Sequence, residues 1–141
     1  MIKTVIILRG VSGSGKSTYI QENFPDAVVV SADKYFYNKE GEYKFDATKL
    51  GQAHGSCRAR FESALKSKKA LVVVDNTNTR LKEFKAYMDM ARSYDYEVSV
   101  VRLDVPLEAL YGRNVHGVPD ATVKAMYERM EPYVGEEIVS Q

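Results

Sequence analysis

Gly10-Val11-Ser12-Gly13-Ser14-Gly15-Lys16-Ser17 has the spacing G-x-x-x-x-G-K-[ST] of a phosphate-binding loop, or P-loop. The chemistry follows from the residue types. Glycines permit a tight turn in which backbone N–H groups converge on phosphate oxygens. The helix expected after the loop aims its positive N-terminus at the same place. Lys16 is placed to reach the β- and γ-phosphates of ATP, and the Ser17 hydroxyl to ligate Mg²⁺. Gly10, Ser12, Gly13, Ser14, Gly15, Lys16, Ser17 and Thr18 are therefore the candidate ATP-phosphate contacts. A Gly/Ser linker is the plain alternative, but the buried strand expected before the loop and the helix after it favour phosphate binding.

Two carboxylates fall where such chemistry needs them. Asp33 follows an apolar run, Ala27–Val30, and in a phosphotransferase would accept the proton of an acceptor hydroxyl held in line with the γ-phosphate. It could equally cap a short helix over 34–37. Asp75 ends Ala70-Leu71-Val72-Val73-Val74-Asp75, the Walker-B form in which the acid holds Mg²⁺ or orients the loop serine. Asn76-Thr77-Asn78 follows, either as a turn into the next helix or facing an acceptor.

A transferring phosphoryl group also needs cations from a closing segment. Arg113 precedes Asn114-Val115-His116-Gly117-Val118-Pro119, and a lid is expected over about 113–119. Arg113 and Asn114 are its candidate ATP contacts, and Arg113 joins Lys16 and Asp33 as a candidate catalytic residue. Arg113 could instead be a favourable charge at a helix C-terminus, and His116 reads as a plain loop residue. The run Lys66-Ser67-Lys68-Lys69 reads as a solvated helix end.

These residues need a frame. Val5–Leu8, Ala27–Val30, Leu71–Val74 and Val98–Leu103 read as strands buried on both faces. Helices are expected over 16–23, about 47–68, about 79–93, from Pro106 to about 113, and after Pro119. The apolar positions Leu50, Ala53, Cys57, Phe61 and Ala64/Leu65 step by three or four, which gives one core-facing stripe. The tail Ile138–Val139 carries no pattern. Strands alternating with helices predict an α/β three-layer sandwich around a parallel sheet of about four strands, order 2-3-1-4, forming one domain over 1–141. The motifs sit beyond the strands' C-terminal ends, where such sheets bind ligands.

Composition narrows the function classes. The chain has 141 residues, Lys+Arg 20 against Asp+Glu 19, and a net charge of +1. That argues against a broad basic face coating nucleic acid, while leaving room for a contact with one nucleic-acid end. The single cysteine, Cys57, excludes an internal disulfide framework. No apolar stretch approaches the roughly 18 residues of a membrane span, so a cytoplasmic protein is expected. A guanine-reading N-K-x-D is missing, Asn38-Lys39-Glu40 being the nearest string. A motor ATPase normally needs a larger fold and a coupled surface. A small phosphotransferase remains, with a nucleotide-dependent binding module as the alternative without transfer.

The strings GVSGSGKST, SADKYF, VVVDNTNT and LDVPLEALYGRNVHGVP…MYERMEPY together resemble the kinase domain of phage-type polynucleotide 5′-hydroxyl kinases. The resemblance runs from Ile2 to about Tyr133. It implies transfer of the ATP γ-phosphate to the 5′-hydroxyl of DNA or RNA in end-healing. It also implies Lys16 and Ser17 on phosphates and Mg²⁺, Asp33 as general base, Asp75 beside the metal, and Arg113 in the lid. For a phage-encoded protein, the host cytoplasm is the implied location. The phosphatase domain fused in some relatives has no counterpart in these residues. Where an arginine commonly follows the base by one helical turn to hold acceptor phosphate, Phe36 stands, and the lid is short of a second arginine. Arg58, Arg60 and Arg80 are the candidate replacements. Tyr35, Phe36 and Asn78 complete the candidate acceptor site, the aromatics either stacking on bases or packing beneath the loop. A small-molecule kinase acting on a nucleoside or other metabolite is the competing reading.

Overall fold

The computed structural model describes residues 2–113 and 117–141. Its centre is a parallel sheet of five strands, β1 (Thr4–Arg9), β2 (Val28–Val30), β3 (Leu71–Asp75), β4 (Glu97–Asp104) and β5 (Glu137–Ser140), in the order β2-β3-β1-β4-β5. The four expected strands keep their expected order, and β5 adds an edge. The tail gave no signal because Ile138–Val139 is only two apolar residues long. It pairs through its backbone, with Arg102 opposite Ile138 and Leu103 opposite Val139.

The helices among the described residues are α1 (Lys16–Asn23), α2 (Leu50–Lys66), α3 (Leu81–Ser93), α4 (Leu107–Leu110) and α5 (Asp120–Arg129). Alternate residues of the central strands face opposite cores, as strand pleating requires. Val5, Ile7, Val72, Val74 and Val100 pack on the apolar stripes of α2 and α3, around Phe61 and Phe84. Ile6, Leu8, Val73 and Val101 pack on Ile20 of α1. A smaller cluster of Val11, Val105, Leu110 and Val123 joins the loop to α4 and α5.

Three helix boundaries differ from expectation for local reasons. A 3-10 turn over Ala47–Lys49, capped by the Asp46 carboxylate, precedes α2. α3 begins at Leu81 because Thr79 stays outside it, its N–H and hydroxyl both donating to the Glu83 carboxylate at 3.2 and 2.7 Å. α4 ends at Leu110, short of Arg113, because Gly112 disfavours helix continuation. No helix among the described residues is long and apolar enough to cross a membrane.

Register fixes the site. Leu8 lies opposite Asp75 and Val30 opposite Val74. The end of β1, the end of β3 and the segment after β2 therefore arrive together at the C-terminal end of the sheet.

Candidate active site

The phosphate-binding loop starts where β1 ends. Gly10 N–H donates to the Thr77 carbonyl at 3.1 Å, which ties the loop to the segment after β3. A Cβ on Gly10 would collide with Ser14 Oγ. Gly13 and Gly15 hold φ at +89° and +91°, a backbone region that favours glycine. α1 then starts at Lys16 with no side chain capping its first N–H groups. An anion is the natural partner of such an end.

Lys16 is half-buried in the loop, and its Nζ donates to the Gly10 carbonyl at 3.0 Å. Burial pulls its ammonium below the ordinary lysine value, against the opposing pull of the Asp75 and Asp33 charges. Burial pushes the Asp75 carboxyl above the ordinary value, with Lys16 opposing and Asp33 adding to the rise. The three groups that the sequence analysis chose separately thus sense one another's charge. Asp75 Oδ1 is buried with no hydrogen-bond partner among the described residues. An orphaned buried carboxylate oxygen calls for an explanation. It fits a Mg²⁺ ion or its water, with Ser17, exposed at the first turn of α1, as the second protein oxygen.

Asp33 lies in a 3-10 turn over Ala32–Phe36. Ser31 caps that turn, its Oγ accepting from Asp33 N–H at 3.1 Å. Asp33 is therefore not the cap, and its carboxylate is exposed, with the Tyr43 hydroxyl donating to Oδ1 at 3.5 Å. Asn76 Oδ1 accepts from Ala32 N–H at 2.9 Å, and Arg60 Nη2 donates to the Ser31 carbonyl at 2.8 Å. Both contacts fix the turn that carries Asp33. Burial and the neighbouring Asp33 push the Tyr43 phenol up to about 12, so it remains a donor through the neutral range.

Arg113 packs over the loop: its Cβ, carbonyl carbon and oxygen stand 3.3 Å from where a Gly13 Cβ would be. The lid expected over 113–119 includes Asn114 and His116, which lie outside the described residues.

Several acceptor candidates fall elsewhere. Phe36 is 5% exposed in the main core, its ring packed against Tyr35, Tyr43 and Phe45, and it lines only the floor of the groove beside the turn that carries Asp33. Asn78, 2% exposed, spends its side chain on the Leu8 carbonyl at 2.8 Å and holds a left-handed backbone at φ +48°. It shapes the loop after β3 and faces no acceptor. Arg58 is exposed on α2, and Arg80 stands at the start of α3. Among the described residues neither hydrogen-bonds to Asp33 or to the phosphate-binding loop. Tyr35 is exposed beside Asp33's turn, its hydroxyl donating to Gln52 Oε1 at 2.7 Å.

Sequence reasoning missed Arg9. Its side chain is fully buried, and it donates to the carbonyls of Asn78 (2.7 Å), Thr79 (2.9 Å) and Glu131 (2.6 Å) and to Glu136 Oε1 (2.7 Å). The available signal was a cation ending a wholly apolar strand just before a glycine. A buried arginine there requires an acid from elsewhere in the chain.

A parallel sheet with a phosphate-binding loop after β1, an acid at the end of β3 and a second acid after β2 defines a P-loop kinase fold. The chain belongs to the AAA-domain family AAA_33, matched over residues 5–133. It is 35% identical over 143 residues to human NEDD4-binding protein 2, covering 96% of this chain and 8% of that protein. It is 32% identical over 126 residues to a putative bifunctional polynucleotide kinase/RNA ligase of Autographa californica nuclear polyhedrosis virus, covering 79% of this chain and 18% of that protein. Both proteins are thus several times longer than the chain. In fold it resembles a chain of the Pnkp1/Rnl/Hen1 RNA repair complex, with a TM-score of 0.75 at 21% identity over 92% of this chain and 44% of that one. It also resembles a gluconokinase from Sinorhizobium meliloti 1021, with a TM-score of 0.62 at 17% identity over 99% and 83%.

Proposed function

We propose that the chain is an ATP-dependent kinase that transfers the γ-phosphoryl group to the 5′-hydroxyl end of a polynucleotide. The observation that carries this reading is the convergence of the phosphate-binding loop, the unpartnered buried oxygen of Asp75 and the exposed Asp33 beyond the C-terminal ends of β1, β3 and β2. Phosphoryl transfer is largely a matter of position and electrostatics, and these three groups supply a phosphate cation, a metal-side acid and a base.

The loop N–H groups and α1 would hold the triphosphate at Gly10, Ser12, Gly13, Ser14, Gly15, Lys16, Ser17 and Thr18. Lys16, now bonded to the Gly10 carbonyl, turns to the β- and γ-phosphates. Arg113, packed on Gly13, adds positive charge at the transferring group, and Asn114 belongs to the same lid. Ser17 and Asp75 would hold Mg²⁺, which supplies charge neutralisation on the phosphates. Asp33 accepts the proton of the acceptor hydroxyl. That oxygen bonds to the γ-phosphorus as the bond to the bridging oxygen of ADP breaks. Tyr43 keeps the carboxylate aimed.

The polynucleotide acceptor is supported by the viral relative, whose name describes a polynucleotide kinase, and by the fold shared with a chain of an RNA repair complex. A small-molecule acceptor is the second reading. It is favoured by Phe36, which buries a ring where an acceptor-phosphate arginine would stand, and by the fold likeness to a gluconokinase. Incubation with labelled ATP, Mg²⁺ and a panel of 5′-hydroxyl oligonucleotides, nucleosides and sugar acids separates them. Label on the oligonucleotide 5′ end is expected. Label on metabolites alone would sink the first reading.

A further inference from the structure

The reaction as described leaves unused a groove of about 710 Å³ beside the turn that carries Asp33. Its size is that of an ordinary ligand site. Tyr35, Tyr37, Asn38, Lys44, Phe45 and Lys49 contribute to its walls. Phe45 and Tyr37 are 54% and 45% exposed, a high value for aromatic rings. They are nonetheless held in place. The Phe45 ring sits 5.1 Å from that of buried Phe36, and the Tyr37 ring 5.2 Å from that of Tyr43. The backbone beneath is a fixed hairpin: Lys44 N–H donates to the Phe36 carbonyl at 2.8 Å, and Asn38 Oδ1 accepts from Glu40 and Glu42 N–H.

The charge in the groove points to an anion with flat faces. Lys44 and Lys49 line it. Asp46 in its wall stays ionised, fixed by the Thr48 N–H at 3.0 Å and hydroxyl at 2.6 Å, so the two lysines outweigh one carboxylate. Rigid aromatic rings interleaved with lysines are how sequence-tolerant sites hold single strands, bases stacked and phosphates against cations. The groove adjoins the turn that carries Asp33: Tyr35 and Phe36 of that turn line it, and Tyr37 in its wall packs on Tyr43, whose hydroxyl donates to Asp33.

We propose that this groove binds the single-stranded nucleotides that follow the 5′-terminal one, with bases on Phe45 and Tyr37 and phosphates against Lys44 and Lys49. The proposal rests on the polynucleotide reading above and names where its substrate strand runs. It supplies the acceptor-phosphate contacts that Phe36 cannot.

The test compares thymidine 3′-monophosphate with a 5′-hydroxyl oligothymidylate of about eight residues as acceptors. The native chain is expected to show a lower KM for the oligomer. Phe45→Ala and Lys49→Ala should each raise the oligomer's KM about tenfold while kcat and the mononucleotide's KM stay unchanged, and Phe45→Tyr should behave as native. Equal KM values for both acceptors, or variants that impair both alike, would overturn the groove and leave the kinase reading standing. If neither acceptor is phosphorylated, the DNA-end reading falls by itself, and fluorescence anisotropy with labelled oligothymidylate decides the groove. Binding weakened about tenfold by Phe45→Ala supports it. Absent binding, or binding indifferent to both variants, overturns it. So does self-association that Phe45→Ala abolishes without touching strand binding, which would assign the face to a second copy of the chain.

Discussion

Arg9 Nη1 donates to Glu136 Oε1 across 2.7 Å, and the two side chains are 0% and 3% exposed. The pair joins the last residue before the phosphate-binding loop to the segment leading into β5. Glu136 also takes Arg102 Nε at 3.2 Å and Tyr133 N–H at 2.9 Å, and the Arg9 guanidinium lies 4.8 Å from the Phe84 ring centroid. Burial pulls the guanidinium below its ordinary value, with the Glu136 charge opposing. Breaking one side of such a pair strands a buried charge. Glu136→Ala is expected to lose about 3–5 kcal/mol of stability in urea unfolding, and Arg9→Met/Glu136→Leu to recover most of that loss. A single variant as stable as the native chain would show that the pair is not buried in solution.

The catalytic assignments separate binding from chemistry. Lys16→Ala is expected to weaken ATP binding and abolish turnover, because the ammonium holds the phosphates in the ground state and meets more charge in the transition state. Asp33→Asn preserves size and should lower kcat by about 10²–10⁴-fold with ATP affinity largely retained. Calorimetric titration with ATP and a single-turnover assay read the two effects apart. An Asp33→Asn protein that turns over at the native rate would remove the base.

How much of this was legible depended on chain distance. The loop Gly10–Ser17 and the acids Asp33 and Asp75 are local signals, an apolar run followed by a small set of residue types, and they lie together in the fold. Asp33's alternative as a helix cap was decided by Ser31, two residues away, whose hydroxyl does the capping. The partners of Arg9 could not be read, because Glu131 and Glu136 lie more than a hundred positions away and carry no pattern of their own. Phe36 and Asn78, both buried, were ambiguous for a related reason. An aromatic or an amide near a site has the same sequence signature whether it faces the ligand or the core, and long-range packing decides which.

Gly13 gives a test of loop geometry. Its φ of +89° costs an alanine about 1–2 kcal/mol, and the new Cβ would also press on Arg113 at 3.3 Å. Gly41 has a similar φ of +81° with open space around it. Both alanine variants should lose similar stability from strain. Only Gly13→Ala should also weaken ATP binding, by about tenfold for each 1.4 kcal/mol of displaced contact. Equal ATP affinities in the two variants would mean that Arg113 does not pack on the loop.

Asp75 should write its signature into the pH dependence of stability. Burial holds its carboxyl above the ordinary value in the folded chain, so the unfolded chain releases this proton first as pH rises. The group's stabilising contribution is therefore complete below the ordinary carboxylate value and is lost as pH climbs through the raised one. Lys16 runs the other way: its folded value is lowered, so its contribution is complete above the ordinary ammonium value and is lost as pH falls through the lowered one. The ionised form of Asp75 is thus the one that its surroundings in the nucleotide-free chain disfavour. Asp75→Asn should be more stable than the native chain at neutral pH and lack the decline that the native chain shows as pH rises from about 4. With Mg²⁺ and ATP present the order should reverse, because a ligand that binds only the folded chain raises its stability by mass action and the variant has lost a metal-side oxygen. Thermal midpoints measured across pH, with and without Mg²⁺ and ATP, check both halves. Identical pH slopes for the two proteins would show that Asp75 is solvated, and an equal gain from Mg²⁺ and ATP would remove it from the metal site.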